Sequence, residues 1–145
     1  MPEEHTDGTV IDELFTALEK GDVDAAIACL TEDATVWHAF DRVAHDTRSI
    51  REDWDQLIAG SSTRRVTDVR RSATTEGFVQ QHLMTIHTRT GAQLAWPVCI
   101  VVRVRDGRVA RLDEYIDRAG HFTPTEDDAT TPGLKPIETS RATEQ

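Results

Sequence analysis

The sequence predicts a single α+β domain, with helices leading and a mainly antiparallel sheet following. Two observations predict it. Apolar residues recur at helical spacing as far as Gly60, and from Arg64 onward the period changes to two. The second half is also divided by Glu76-Gly77, Thr90-Gly91 and Asp106-Gly107, pairs suited to tight hairpin turns because glycine tolerates positive φ. A chain of 145 residues has room for one domain with a real core, and not for two.

In the helical half, Val10, Ile11, Leu14, Phe15 and Leu18 form one stripe, and Gly21 stops that helix. Asp22 can cap a second helix whose buried face is Val23, Ala26, Ile27 and Leu30. Residues 34–40, rich in β-branched and aromatic types, read as a short strand, and residues 41–45 as a loop. Asp46 or Thr47 can cap a third helix carrying Ile50, Trp54, Leu57 and Ile58, which ends at Gly60. Four strands follow, near residues 66–74, 78–88, 93–105 and 109–117, and sequential hairpins imply a meander. The domain is expected to span residues 10–119, preceded by a flexible terminus over 1–9. Residues 120–145 shift to Thr, Pro, Asp and Glu, too polar to bury much surface, and are expected to be a flexible tail.

Composition narrows the function classes. With 38% hydrophobic and 29% charged residues, the chain fits a soluble globular protein rather than a membrane span or a disordered segment. A formal charge of -10 repels phosphate backbones and anionic surfaces, so neither nucleic acid nor membrane is an expected partner. Cys29 and Cys99 each lie in an apolar run, which suits reduced, inert thiols buried in the core better than a disulfide scaffold. No basic and apolar leader opens the sequence, and the cytoplasm is the expected compartment. No phosphate-cradling glycine loop or nucleotide fingerprint suggests a cofactor, and none is expected.

Two local signatures go further. One is Gly21-Asp22 followed by Leu30-Thr31-Glu32-Asp33-Ala34-Thr35-Val36; the other is the closing hairpin Asp106-Gly107-Arg108-Val109-Ala110-Arg111-Leu112-Asp113-Glu114-Tyr115-Ile116-Asp117. In this element order the chain resembles the NTF2-like superfamily, especially its SnoaL-like and ketosteroid-isomerase-like members, over roughly residues 10–119. The resemblance implies a cone in which three N-terminal helices pack on a strongly curved, mainly antiparallel sheet around one pocket, commonly in a homodimer. It implies a small hydrophobic molecule as the partner. Many functions use that scaffold, so the polar residues that face the pocket have to carry any functional reading.

His38 stands where the resemblance puts the catalytic aspartate of ketosteroid isomerases. Imidazole exchanges protons near neutrality with little tuning, so His38 is a candidate general base; the alternative is a buried structural histidine. Alternation in residues 78–84 places Gln80, His82 and Met84 on one face and Val79, Gln81 and Leu83 on the other, without saying which face is inward. Gln80 and His82 together offer donors and acceptors for a water or a substrate oxygen; the alternative is a surface covered by a second subunit. On the last strand Glu114 lies between Leu112 and Ile116 on one face, where it is shielded from water and suited to proton transfer, or else held in a structural ion pair.

The candidate catalytic set is therefore His38, His82 and Glu114. Candidate substrate-binding residues are Trp37, Phe40, Asp41, Trp54, Gln80, Met84, Trp96 and Tyr115: Trp37, Phe40, Trp54, Met84 and Trp96 suit a flat or polycyclic ligand or simply core, while Asp41 and Tyr115, the latter with a hydroxyl donor, enter the site if the strands present their other faces. Two histidines and a carboxylate form a conceivable metal set, but no close-spaced ligand pair such as HExxH is present, and no metal is expected. Beside the limonene-epoxide-hydrolase-like members, Glu114 falls at one catalytic aspartate, whereas Gln80 and His82 replace an arginine and an aspartate. Beside the isomerases, the oxyanion-hole tyrosine is replaced by Leu14 or Phe15, and the protonated acid by an apolar residue near Ile100. The expected activity is cofactor-independent acid/base chemistry, an isomerisation, cyclisation or dehydration of a polyketide- or steroid-like substrate. The alternatives are a non-catalytic ligand-binding or dimerisation module, and an epoxide hydrolase with an atypical site.

Overall fold

A computed structural model describes residues 8–116. The expected tail over 120–145 and the first seven residues of the expected flexible terminus lie outside the described residues. Helix α1 (Thr9–Lys20) buries the predicted stripe from Ile11 to Leu18, leaves Val10 half-buried, and ends at Gly21, whose φ of 78° is left-handed. The Gly21 and Asp22 amides return to the carbonyls of Leu18 and Ala17, satisfying the helix's last acceptors. The Arg64 guanidinium adds to this cap, donating from Nε to the Leu18 carbonyl at 2.8 Å. A cation against a helix C-terminus is favourable, and here it also ties the first helix to the sheet.

Helix α2 (Val23–Ala28) is capped by the Asp22 side chain, which accepts from the Ala25 amide at 3.0 Å. It is shorter than expected. Leu30, read from spacing as the last buried position of this helix, instead opens strand β1 (Leu30–His38), where it pairs with Val109. Strand β2 (Val43–His45) lies where the sequence predicts a loop; three residues give too little alternation to register as a strand, and β1 supplies the pairing. Helix α3 (Thr47–Ala59) begins as predicted at Asp46, which accepts from the Ser49 amide at 2.9 Å.

Strands β3 (Ser61–Ala73), β4 (Gly77–Thr88), β5 (Gln93–Arg105) and β6 (Arg108–Ile116) form the meander. The six-stranded sheet has the order β2-β1-β6-β5-β4-β3, and β1 runs parallel to β6 while every other pair is antiparallel. One extra residue between Thr67 and Arg70, with Asp68 at φ 55°, bulges β3 against β4, a device that bends and twists a strand. Asp106 and Gly107 both adopt positive φ, as a tight two-residue hairpin turn requires, and Gly91 does so at the preceding turn. Gly77 differs: its φ is not positive, and a Cβ there would lie 2.1 Å from the Val102 carbonyl oxygen. Glycine is needed at that position for close strand approach, not for turn geometry.

The core fills the space between the helices and the inner face of the curved sheet, with Ile11, Leu14, Ile50, Phe78, Ile100 and Val102 among its most enclosed side chains. Both cysteines are free. Cys29 is buried in the core, and burial pushes its thiol above the usual range. Cys99, expected in the core, pairs with Tyr115 and is only half-buried. Among the described residues no helix is long and apolar enough to cross a membrane.

Candidate functional site

A cavity of about 460 Å³ lies between α1, α3 and the sheet. Leu14, Phe15 and Leu18 line it from α1, Trp54 and Leu57 from α3, and Met84, Ile86 and Trp96 from β4 and β5. Its polar end is built by His38, Asp41, Asp53 and Glu114. An apolar chamber with a few convergent polar groups is the usual form of a small-molecule site.

The polar end follows from strand register. His38 and Glu114 are direct partners in the parallel β1–β6 pairing, so their side chains emerge side by side on the inner face. The His38 Nε2 lies 3.6 Å from the Glu114 Oε1, both groups are largely shielded from water, and the Phe40 ring stacks on the imidazole at 4.8 Å. The alternation expected on β6 holds, with Leu112, Glu114 and Ile116 all on the cavity wall.

On its other side His38 meets a second group of ionisable residues. The hairpin between β1 and β2 pairs Val36 with His45, which puts His45 on the same face as His38, their rings 5.3 Å apart. Asp41, in the connecting turn, anchors itself by accepting from the Val43 amide at 2.9 Å and contacts the His45 Nε2 at 3.1 Å through its other oxygen. Asp53 reaches in from α3, its Oδ2 lying 3.9 Å from the His38 Nδ1 and 3.7 Å from the His45 Nε2. Burial alone would push the Asp41 carboxyl up; the Val43 amide, the His45 hydrogen bond and the neighbouring imidazoles outweigh it and hold the group below the usual carboxylate range.

The structure therefore brings together His38, Phe40, Asp41, Trp54, Met84, Trp96 and Glu114 of the predicted site residues. It places four others elsewhere. Trp37 and Tyr115 are on the opposite face of the sheet, where alternation sends the neighbours of His38 and Glu114; their rings meet edge to face at 5.4 Å, and Tyr115 is half-exposed. Gln80 and His82 point inward, which settles the face of β4, but they are enclosed in the core beside α1 rather than on the cavity wall. Gln80 accepts from the Arg71 Nε at 2.8 Å and contacts the His82 Nδ1 at 3.0 Å, and the Phe15 ring packs edge-on to His82 between it and the chamber. Burial, with the Arg71 charge nearby, lowers the His82 pKa to about 4, so this imidazole is neutral at physiological pH.

Two residues at the polar end were not singled out from sequence. Asp53 had a legible signal: it sits in the apolar stripe Ile50, Trp54, Leu57, where a carboxylate has no structural reason to be. His45 carries none, because its segment has the pattern of a loop. The metal set weighed from sequence, His38, His82 and Glu114, is not assembled; the close group is His38, Asp41, His45 and Asp53.

The SnoaL-like domain model matches residues 11–112, well over half of the chain. A comparison with curated proteins finds no match. Among solved structures, a candidate polyketide cyclase of Xanthomonas campestris pv. campestris is 17% identical with a TM-score of 0.69, covering 80% of this chain and 92% of its own. An M. tuberculosis LEH-like epoxide hydrolase is 17% identical with a TM-score of 0.67 and covers 98% of both chains. A Catenulispora acidiphila DSM 44928 protein of ketosteroid isomerase-like fold is 15% identical with a TM-score of 0.65, over 73% of this chain and 83% of its own. At such identities the solved structures speak for the fold alone. The matched model, spanning the helices and nearly the whole sheet around the cavity, settles the family: the chain belongs to the SnoaL-like domain proteins.

Proposed function

We propose that the protein is a small-molecule enzyme that moves a proton on a hydrophobic substrate held in the apolar cavity, in an isomerisation, cyclisation or dehydration of a polyketide- or steroid-like compound. The observation that carries this reading is the His38–Glu114 pair, 3.6 Å apart at the polar end of a largely apolar chamber. A carboxylate and an imidazole in contact share protons, and a substrate C–H or hydroxyl brought against them loses or gains one without needing bulk water. The apolar walls supply binding energy and hold the reacting carbon in place. The candidate cyclase among the structural neighbours agrees in fold with this class. Epoxide hydrolysis by the arrangement of the limonene-epoxide-hydrolase-like members has less support, because Gln80 and His82 stand at two of its positions and lie behind the cavity wall.

The test is exchange of activated C–H protons into deuterated water, followed by NMR, for a panel of hydrophobic hydroxyketones and ring ketones. Wild type is expected to exchange at least one compound, with His38→Ala and Glu114→Gln each slowing it about 100-fold. Unchanged exchange in both variants would sink the assignment. Tight binding with no exchange would make the domain a ligand carrier.

A further inference from the structure

The four groups on the far side of His38 have the composition and spacing of a metal centre. The His38 Nδ1, Asp41 Oδ2, His45 Nε2 and Asp53 Oδ2 all lie within 4.8 Å of one another, and four of the pair distances are 3.1, 3.7, 3.9 and 4.0 Å. Ligands about 2.1 Å from a tetrahedral ion stand roughly 3.4 Å apart, close to these four separations. The two imidazoles are more than nine-tenths buried, whereas Asp41 and Asp53 keep about a third of their side chains in solvent, which leaves a path for an ion to enter.

A second observation is independent of the cluster itself. Each histidine turns its other ring nitrogen to an oxygen: the His38 Nε2 faces Glu114 at 3.6 Å, and the His45 Nδ1 contacts the Ser49 hydroxyl at 2.6 Å. Metal-ligating histidines are typically held in this way, because the outer oxygen orients the ring and raises the basicity of the nitrogen turned to the ion. We propose that His38, Asp41, His45 and Asp53 bind one divalent transition-metal ion of the zinc, iron or cobalt type at the polar end of the cavity. Two imidazole and two carboxylate donors favour such ions over magnesium or calcium, which prefer oxygen alone. The proposal goes beyond the proton-transfer reading. With the ion on Nδ1, His38 serves as a ligand, its Nε2 still faces Glu114, and the carboxylate is the proton acceptor of the pair. Three of the four ligands line the cavity wall, so the ion adjoins the chamber where substrate would sit.

The experiment is titration of chelator-stripped full-length protein with Zn2+ by calorimetry and with Co2+ by visible absorption, alongside Mg2+ and Ca2+. The expected result is one equivalent bound at micromolar Kd or tighter, with the intense ligand-field bands of low-coordinate Co2+. His45→Gln and Asp53→Asn are each expected to weaken binding at least about 100-fold, while His87→Gln, outside the cluster, leaves it unchanged. Asp53 is partly exposed on a helix, so its variant tests the site even where loss of buried His45 unfolds the protein. Absence of a stoichiometric site, binding that survives both substitutions, or equal affinity for Mg2+ overturns the proposal. None of these readouts involves turnover, so failure here is separate from failure of the acid/base assignment.

Discussion

An imidazole taken out of water is easier to keep neutral than charged, and His82 carries that cost. Its pKa is about 4 in the folded chain against about 6.5 unfolded. Between these values the unfolded chain binds a proton that the native one refuses, so this residue withdraws stability as pH falls from about 6.5 to about 4, and withdraws nothing above. The full difference amounts to roughly 3 kcal/mol. Replacing His82 with Gln, which keeps a polar contact for Gln80 but cannot titrate, is expected to flatten the acid limb of stability. Urea denaturation at pH 7 and pH 4.5 checks it: the variant should lose clearly less stability than wild type over that interval. An equal loss would mean that the imidazole takes up its proton in the native state. The placement of His82 also marks how far alternation reaches. It put Gln80, His82 and Met84 on one face, as they are, but inward is not the same as cavity-lining, and only packing against Phe15 decides which of the three meets the chamber.

At the scale of elements, what the sequence made legible was local and what it concealed was pairing. Caps at Asp22 and Asp46, the stop at Gly21 and the hairpin at Asp106-Gly107 depend on a few adjacent residues and could be read directly. The start of β1 at Leu30 and the existence of β2 depend on partners far away or on a three-residue ladder, and periodicity carries no record of either. Gly77 and Gly91 separate the two uses of glycine by experiment. An alanine at Gly91 meets nothing within 4 Å but must adopt a φ of 96°, a cost of about 1 kcal/mol. An alanine at Gly77 drives its Cβ into the Val102 carbonyl and must push β4 and β5 apart, at roughly 2–4 kcal/mol. Thermal melting of the two variants should therefore rank them, with Gly77→Ala losing at least about 8 °C in Tm and Gly91→Ala about half that or less. The reverse order would show that the strand spacing at Gly77 is soft.

Across the whole molecule, the curved sheet has one face that encloses the cavity and one that does not, and the candidate site divides along that boundary. Residues one apart in a strand belong to different faces, so the sheet itself separates Trp37 and Tyr115 from His38 and Glu114. The His38–Glu114 contact needs the parallel register between β1 and β6, roughly two thirds of the domain apart in sequence, and the approach of Asp53 needs α3 docked against β1 and β2. Neither long-range fact was written in any local pattern. The three tryptophans give this two-faced arrangement a direct readout. Trp54 and Trp96 are buried on the cavity wall, while Trp37 is half-buried on the other face against Tyr115. An apolar ligand that enters the cavity displaces water or packs against the first two rings, and leaves the third where it was. Titration with a ring ketone that raises Tm is therefore expected to change the intrinsic fluorescence of wild type and of Trp37→Phe by similar amounts. In the Trp54→Phe, Trp96→Phe double variant, which keeps the ring volume of a benzyl group at both positions, the same ligand should still raise Tm while the fluorescence change falls away. A response that instead vanishes with Trp37→Phe would place the ligand on the outer face of the sheet and remove the His38–Glu114 pair from its path.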